Sequence, residues 1–304
     1  QPHLEKFTHI FQQHAQNVQH SLDRMKNGAD FLLRDPLARE AFRLANCSIR
    51  FSQRDSSLNK AYRIEHFEWR PFQFAFQLLN VEGLLQKNHQ DRQILDLAWF
   101  PTGGGKTEAY LGLIATTSFY RRLNPETQHR ESVAPSISAI MRYTLRLLTA
   151  DQAGRLIRLC GAMNHLWKMT DNTTHFAPFT VGMWIGESSS PNKFFSHPDY
   201  QNKSTVTVET VFDHHIRGEE LPESSFIQFT TCPWCGDSSV GDVENWEIID
   251  VPSPIGSGPI PKLVGRCTMM SCIFNERLPF SCVDEDLYLH PPTILLGTVD
   301  KMVQ

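Results

Sequence analysis

The chain has 304 residues, 40% of them hydrophobic and 20% charged, and a formal net charge of −4. That length suggests two or three folding units, and the charge excludes a global basic field, so any nucleic-acid contact must come from local grooves. No apolar run is long enough to span a bilayer, no basic-then-apolar leader opens the chain, and seven unevenly spread cysteines do not make a secreted disulfide framework. A reducing, cytoplasmic compartment is expected. The start at Gln1 without Met and the stop at Gln304 just after a strand-like run read as a piece of something longer.

The first region, residues 1–90, reads as helical. Leu4, Phe7, Phe11, Val18, Leu22 and Met25 recur at helical spacing, and Asn27-Gly28 is expected to close that helix. Asp35-Pro36, an N-cap followed by proline at the first helical position, starts a second helix through Ala38, Ala41, Phe42, Leu44 and Ala45. His3, His9, His14 and His20 fall on polar faces without metal-ligand spacing. The region ends in Arg70-Pro71-Phe72-Gln73 and an apolar helix from Phe74 to Leu85. Gln73 has the donor and acceptor to pair with the N6 and N7 edge of adenine, and Arg70 could lie against the base plane; a plain helix entry is the competing reading.

Residues 91–186 carry the stretch with the sharpest chemistry. Ile94 to Phe100 is short and apolar enough for a buried strand, and Glu108 to Thr117 reads as helix. Between them stand Pro101-Thr102-Gly103-Gly104-Gly105-Lys106-Thr107-Glu108. Three glycines without Cβ let backbone N–H groups converge on phosphate oxygens at a helix N-terminus. Lys106 would reach the β- and γ-phosphates of ATP, and the Thr107 hydroxyl would ligate Mg²⁺. The strict phosphate-loop pattern is not met, because Phe100 stands where its first glycine would be; Pro-Thr-Gly-x-Gly-Lys-Thr resembles the form found in superfamily 2 helicases. Further strands are expected at Ile137–Tyr143 and Phe179–Gly186, with a helix between them through Leu156, Ile157, Cys160 and Leu166. This alternation implies a parallel sheet, hence an α/β, RecA-like core. The turn Thr144-Leu145-Arg146-Leu147-Leu148-Thr149 resembles helicase motif Ia and makes Arg146 and Thr149 candidate phosphate contacts.

From residue 187 to 290 the chain turns polar and Ser/Pro-rich, with no clear helix. Cys232-Pro233-Trp234-Cys235-Gly236 and the looser pair Cys267 and Cys272 supply four thiolates for a tetrahedral, structural Zn²⁺, a staple for an insertion poor in apolar residues. Cys282 could replace one ligand, and Cys47 and Cys160 read as core. Val283-Asp284-Glu285-Asp286 reads as a solvated acidic turn, because Pro279-Phe280-Ser281-Cys282 makes a poor core strand. Residues 291–304 return to the core: Ile294-Leu295-Leu296-Gly297-Thr298 is a strand, and the following turn resembles motif Ib, with Thr298 and Lys301 as candidate nucleic-acid contacts.

Taken together, Arg-Pro-Phe-Gln, the Phe-Pro-Thr-Gly-Gly-Gly-Lys-Thr-Glu-Ala-Tyr-Leu-Gly run, Arg-Tyr-Thr-Leu-Arg-Leu-Leu-Thr, Cys-Pro-Trp-Cys-Gly and Gly-Thr-Val-Asp-Lys resemble the DrmA helicases of the DISARM anti-phage system. The resemblance covers most of the chain from about Asp35. It implies an ATP-driven superfamily 2 DNA translocase of bacterial cytoplasm, acting on phage DNA beside a DrmB-like partner. It also implies that the DEAH-type acids, the second RecA-like domain and the arginine finger lie beyond this sequence. Two other classes share these features. One is a phosphate-loop NTPase that remodels a partner other than nucleic acid; the other is a zinc-ribbon binding module on a vestigial ATPase fold.

Overall fold

Asp35 separates two helices by accepting, through Oδ1, the N–H groups of Leu37 and Ala38 at 2.9 and 3.0 Å, with Pro36 at the first helical position. The computed structural model describes residues 2–53, 67–99, 104–127, 136–143, 146–170, 177–196, 206–253, 256, 258–299 and 301, without the side chains of 2–6, 143 and 146–150. The chain divides into two compact units, Gln1–Ile49 with Phe67–Asn124, and Arg50–His66 with Pro125–Gln304.

The first unit is helical: α1 (Pro2–Arg34), most of α2 (Pro36–Ser52), α3 (Pro71–Leu85) and α4 (Lys106–Leu123). Helix α1 does not stop at Asn27-Gly28 as the sequence predicts. It runs on because Gly28 is a crossing point, where a Cβ would collide with the Leu78 carbonyl of α3. That close approach offsets the roughly 1 kcal/mol that a mid-helix glycine costs. Phe31, Leu32, Ala38 and Val81 form the core here, with Phe42, Leu78, Leu85 and Tyr120 packed on it. Helices α3 and α4 meet at Gly112, where a Cβ would lie 2.6 Å from Gln77 Oε1. Upstream of this packing, Phe7, Phe11, Val18 and Leu22 of α1 remain exposed.

The expected strand from Ile94 to Phe100 is not formed over residues 94–99, and Phe100 lies outside the described residues. Leu95, Leu97 and Trp99 are 94%, 80% and 86% exposed. Their alternation is that of a strand face, but no described strand hydrogen-bonds to them; an ion pair holds the segment instead. Buried Arg24 reaches from α1 to Asp91 at 2.7 Å and clasps both carboxylate oxygens of Asp96 at 2.7 and 2.8 Å. The Asp96 hydrogen bond raises the Arg24 pKa above its ordinary value, against the opposing effect of burial.

In the second unit the elements are β1 (Ala139–Tyr143), α5 (Arg146–Lys168), β2 (Val181–Trp184), α6 (Val208–Ile216), β3 (Trp246–Pro252), β4 (Pro259–Gly265), β5 (Phe280–Ser281), α7 (Asp284–Leu289) and β6 (Ile294–Thr298). The sheet order is β1-β6-β2-β5 with every pair parallel. Parallel neighbours need crossovers, and α5 supplies the one expected between β1 and β2. All five residues of β6 are buried between two strands, which explains their unbroken apolar character. The antiparallel pair β3–β4 stands apart as a hairpin.

Three features of the 187–290 region depart from expectation. Helix α6 exists, started by a Thr207 cap whose Oγ1 accepts the Thr210 N–H at 3.1 Å, with Val208 and Val211 buried. The region has its own aromatic core, with Phe226 5.5 Å from Trp246 and Trp234 6.0 Å from Phe274. Finally, Phe280-Ser281 does form a strand, at the sheet edge beside β2, and the acids after it open α7 rather than a solvated turn. Asp286 is 1% exposed and Glu285 accepts the Phe194 N–H at 2.9 Å. A two-residue strand leaves almost no periodic signal, so only its long-range pairing reveals it.

Replacing Arg24 by Met should strand Asp91 and Asp96 without a cation and lower the stability of the helical unit by about 3 kcal/mol, the order found when one partner of a buried pair is removed. Denaturant unfolding of the complete protein, followed on α1 by hydrogen exchange, checks this; an unchanged exchange rate would contradict it.

Candidate functional site

The glycine loop enters the described structure at Gly104; Thr102 and Gly103 lie outside it. Gly105 has φ +86°, a left-handed conformation that favours glycine, and a Cβ there would lie 2.5 Å from Gln73 Nε2 and 3.4 Å from Glu108 Oε2. Helix α4 begins at the next residue, Lys106; its N-cap, Gly105, has no side chain to cap it, and Lys106 stands at the positive end of the helix dipole. Lys106, Thr107 and Glu108 are half-buried in that first turn. A glycine cradle at a helix start and a lysine at the first helical position together suit an anionic, phosphate-bearing ligand.

Arg70 and Gln73 are brought to this loop, but they read its backbone. Arg70 Nη1 donates to the Gly104 carbonyl at 2.8 Å and Gln73 Nε2 to the Gly105 carbonyl at 2.7 Å. Gln73 Oε1 also accepts the Arg70 N–H at 2.8 Å, closing the N-terminus of α3. Both ends of the Gln73 amide are therefore engaged inside the protein. Pairing with adenine would have to exchange these bonds.

The four predicted cysteines converge. Cys232, Cys235, Cys267 and Cys272 place their sulfurs within 4.8 Å of one another, with Cys232 3.7 Å from Cys272 and Cys235 3.5 Å from Cys267. A tetrahedral ion with Zn–S bonds of about 2.3 Å holds its sulfurs about 3.8 Å apart, so the cluster could hold a metal ion such as zinc. Gly236, at φ +80°, makes the tight turn and donates to the Cys232 carbonyl at 2.9 Å. The Phe274 N–H points at Cys272 Sγ from 3.4 Å, and the Ser239 hydroxyl lies 3.7 Å from Cys267 Sγ. Sequence reading missed Ser239, since nothing in the local pattern marks a hydroxyl that reaches the opposite loop.

Four thiols this close cannot all ionise without a cation. The Cys272 hydrogen bond, with the Cys235 and Trp234 N–H groups, pulls Cys232 down to about 6 despite burial. Burial pushes Cys235 up to about 12, and the Cys232 thiolate raises Cys272 strongly as well. Cys282 stays outside the cluster; its buried thiol donates to the Phe226 carbonyl at 3.6 Å. Cys160 is buried as expected, whereas Cys47 is exposed, on the outer face of α2 and not in the core. The cluster sits against α5, where Gly161 leaves room for the Phe274 ring and Arg158 Nη1 donates to the Pro233 carbonyl at 3.4 Å.

The candidate nucleic-acid residues gather at one edge of the sheet. Tyr143, the end of β1, is in register with Thr298, the end of β6, so the first turn of α5, with Arg146 and Thr149, and the turn after β6 leave from neighbouring strands. The side chains of Arg146 and Thr149 lie outside the described part. Thr298 is buried, and Lys301 is committed to Asp284 Oδ2 at 2.6 Å, its ammonium 6.0 Å from the centre of the Trp184 ring.

Changing Cys232 or Cys267 to Ser should remove the metal from the purified protein, while Cys282→Ser should keep it. Elemental analysis decides, with about one zinc per chain expected before substitution. Full metal retention by either of the first two variants would contradict the four-sulfur site.

No protein-family model matches the chain. Among the described residues no helix is long and apolar enough to cross a membrane. Over 254 residues, 83% of its length, the chain is 36% identical to the DISARM protein DrmA of Bacillus paralicheniformis. It spans 21% of that relative's length, so the likeness to DrmA is that of one part of a longer protein.

Proposed function

We propose that this chain is the nucleotide-binding part of a DrmA-type motor, a cytoplasmic superfamily 2 ATPase that moves along invading phage DNA in DISARM defence beside a DrmB-like partner. The observation that carries the reading is the Gly105 cradle directly ahead of a helix that begins with Lys106, in a chain 36% identical to DISARM protein DrmA. ATP brings the phosphoryl group to be transferred and Mg²⁺ neutralises its charge; the protein's part is positioning. The N–H groups of Gly103, Gly104 and Gly105 would face phosphate oxygens, with Thr102 and Glu108 flanking them. Lys106 would offset charge on the β- and γ-phosphates, and Thr107 would hold the metal ion. Arg70 and Gln73 would exchange their loop carbonyls for the adenine ring. The α/β unit would be part of a RecA-like domain. In open sheets of this kind ligands lie beyond the carboxyl ends of the strands, the edge where Arg146, Thr149, Thr298 and Lys301 emerge, and DNA would run there. Contact with Lys301 requires it to leave Asp284. Zn²⁺ on the four cysteines would have a structural role.

Lys106→Ala in the complete protein should reduce ATP hydrolysis at least about a hundredfold, the scale of losing one preorganised charge-stabilising group, with metal content unchanged. Phosphate release measures it. Hydrolysis near the unsubstituted rate would remove the nucleotide site from this loop.

A further inference from the structure

On the opposite edge of the same sheet, the one from which the strands start, lies a second concentration of charge. A small, partly open pocket lies between β4, the turn after the cysteine cluster, and the edge formed by β5 and α7. Thr180, just before β2, and Pro292, just before β6, form part of its wall, so it sits away from the carboxyl ends of the strands. Lys262 and Arg277 both line it, as do Ser281, Asp286 and His290.

The charges do not balance. Neither Lys262 nor Arg277 forms an ion pair or a side-chain hydrogen bond among the described residues. Burial, with the neighbouring Arg277, brings Lys262 down to about 8, and burial lowers Arg277 too. Asp286 is the single acid among the lining residues; burial raises it to about 6, against the opposing effect of the Ser281 hydroxyl beside it. His290 is held neutral, chiefly by burial and then by Lys262, at about 4. Its Nε2 donates to the Pro261 carbonyl at 3.0 Å, which fastens the end of α7 to β4. Two cations against one carboxylate leave an excess of one positive charge near neutral pH in a site of low dielectric, where an uncompensated charge is costly.

The geometry points to a binding site for a compact oxyanion of the phosphate type, seated between the Lys262 ammonium and the Arg277 guanidinium. Arg277 offers paired donors that match two oxygens of such an ion, and Lys262 adds a point charge. Asp286 opposes the ion, limiting affinity, and a bound anion would join the β3–β4 hairpin to the sheet through charge as His290 joins them through a hydrogen bond. The inference is independent of the nucleotide site, since no residue is shared.

Isothermal titration of inorganic phosphate into the metal-loaded complete protein at pH 7 and fixed ionic strength tests this. Saturable binding is expected. Arg277→Gln and, separately, Lys262→Gln should each weaken it on the order of tenfold, the loss of one charge-assisted contact. Asp286→Asn should tighten it, because the nearest negative charge is gone while the shape is kept. Absence of saturable binding to the unsubstituted protein, or an affinity that Asp286→Asn lowers, would overturn the proposal.

Discussion

The hydrogen bonds that β6 makes along both edges, to β1 over Ala139–Tyr143 and to β2 over Val181–Trp184, decide what the rest of the second unit must do. Thr180 and Thr293, 113 positions apart, bracket this closure: the Thr180 N–H donates to Thr293 Oγ1 at 3.1 Å, and the Ile294 N–H to the Thr180 carbonyl at 3.0 Å. Until residues 294–298 arrive, β1 and β2 have no strand between them and their facing edges are unsatisfied. Everything from α6 to α7 must therefore fold as an excursion whose two ends return to one sheet. Such non-local pairing costs loop-closure entropy before it gains contacts, which favours an excursion with internal fastenings of its own.

The cysteine cluster is one such fastening. It joins two turns on either side of the β3–β4 hairpin, and it rests on α5, the helix that leads from β1 to β2. Metal on four sulfurs would stabilise the excursion and hold it against the crossover helix at once. Trp246, whose Nε1 donates to the Val240 carbonyl at 3.0 Å, and Phe226 complete a small aromatic core beside it. The excursion is thus held by apolar packing as well as by sulfur.

Signals that act within a few residues were legible in the sequence: the Asp35-Pro36 cap, the glycine loop opening α4, the paired cysteines, and the apolar runs of β1, β2 and β6. Signals that depend on distant partners were not. Gly28 looks like a helix stop until α3 is seen crossing it. Ile94 to Trp99 has the alternation of a strand but stands exposed, with Asp96 drawn to Arg24. Asp284, Glu285 and Asp286 look like a solvated turn because acids usually are, yet Asp284 is paired with Lys301, Glu285 accepts the Phe194 N–H, and Asp286 is buried. The two-sided amide of Gln73, suited to adenine, uses both its sides on Gly105 and Arg70 instead.

If the glycine cradle and the strand-end turns belong to one DNA-driven ATPase, as proposed, ATP turnover is coupled to DNA. Phosphate release by the complete protein, with and without DNA at saturating ATP, measures that coupling. Slow turnover alone and a rise of at least several-fold when DNA is added are expected. A rate that DNA leaves unchanged would contradict the proposal.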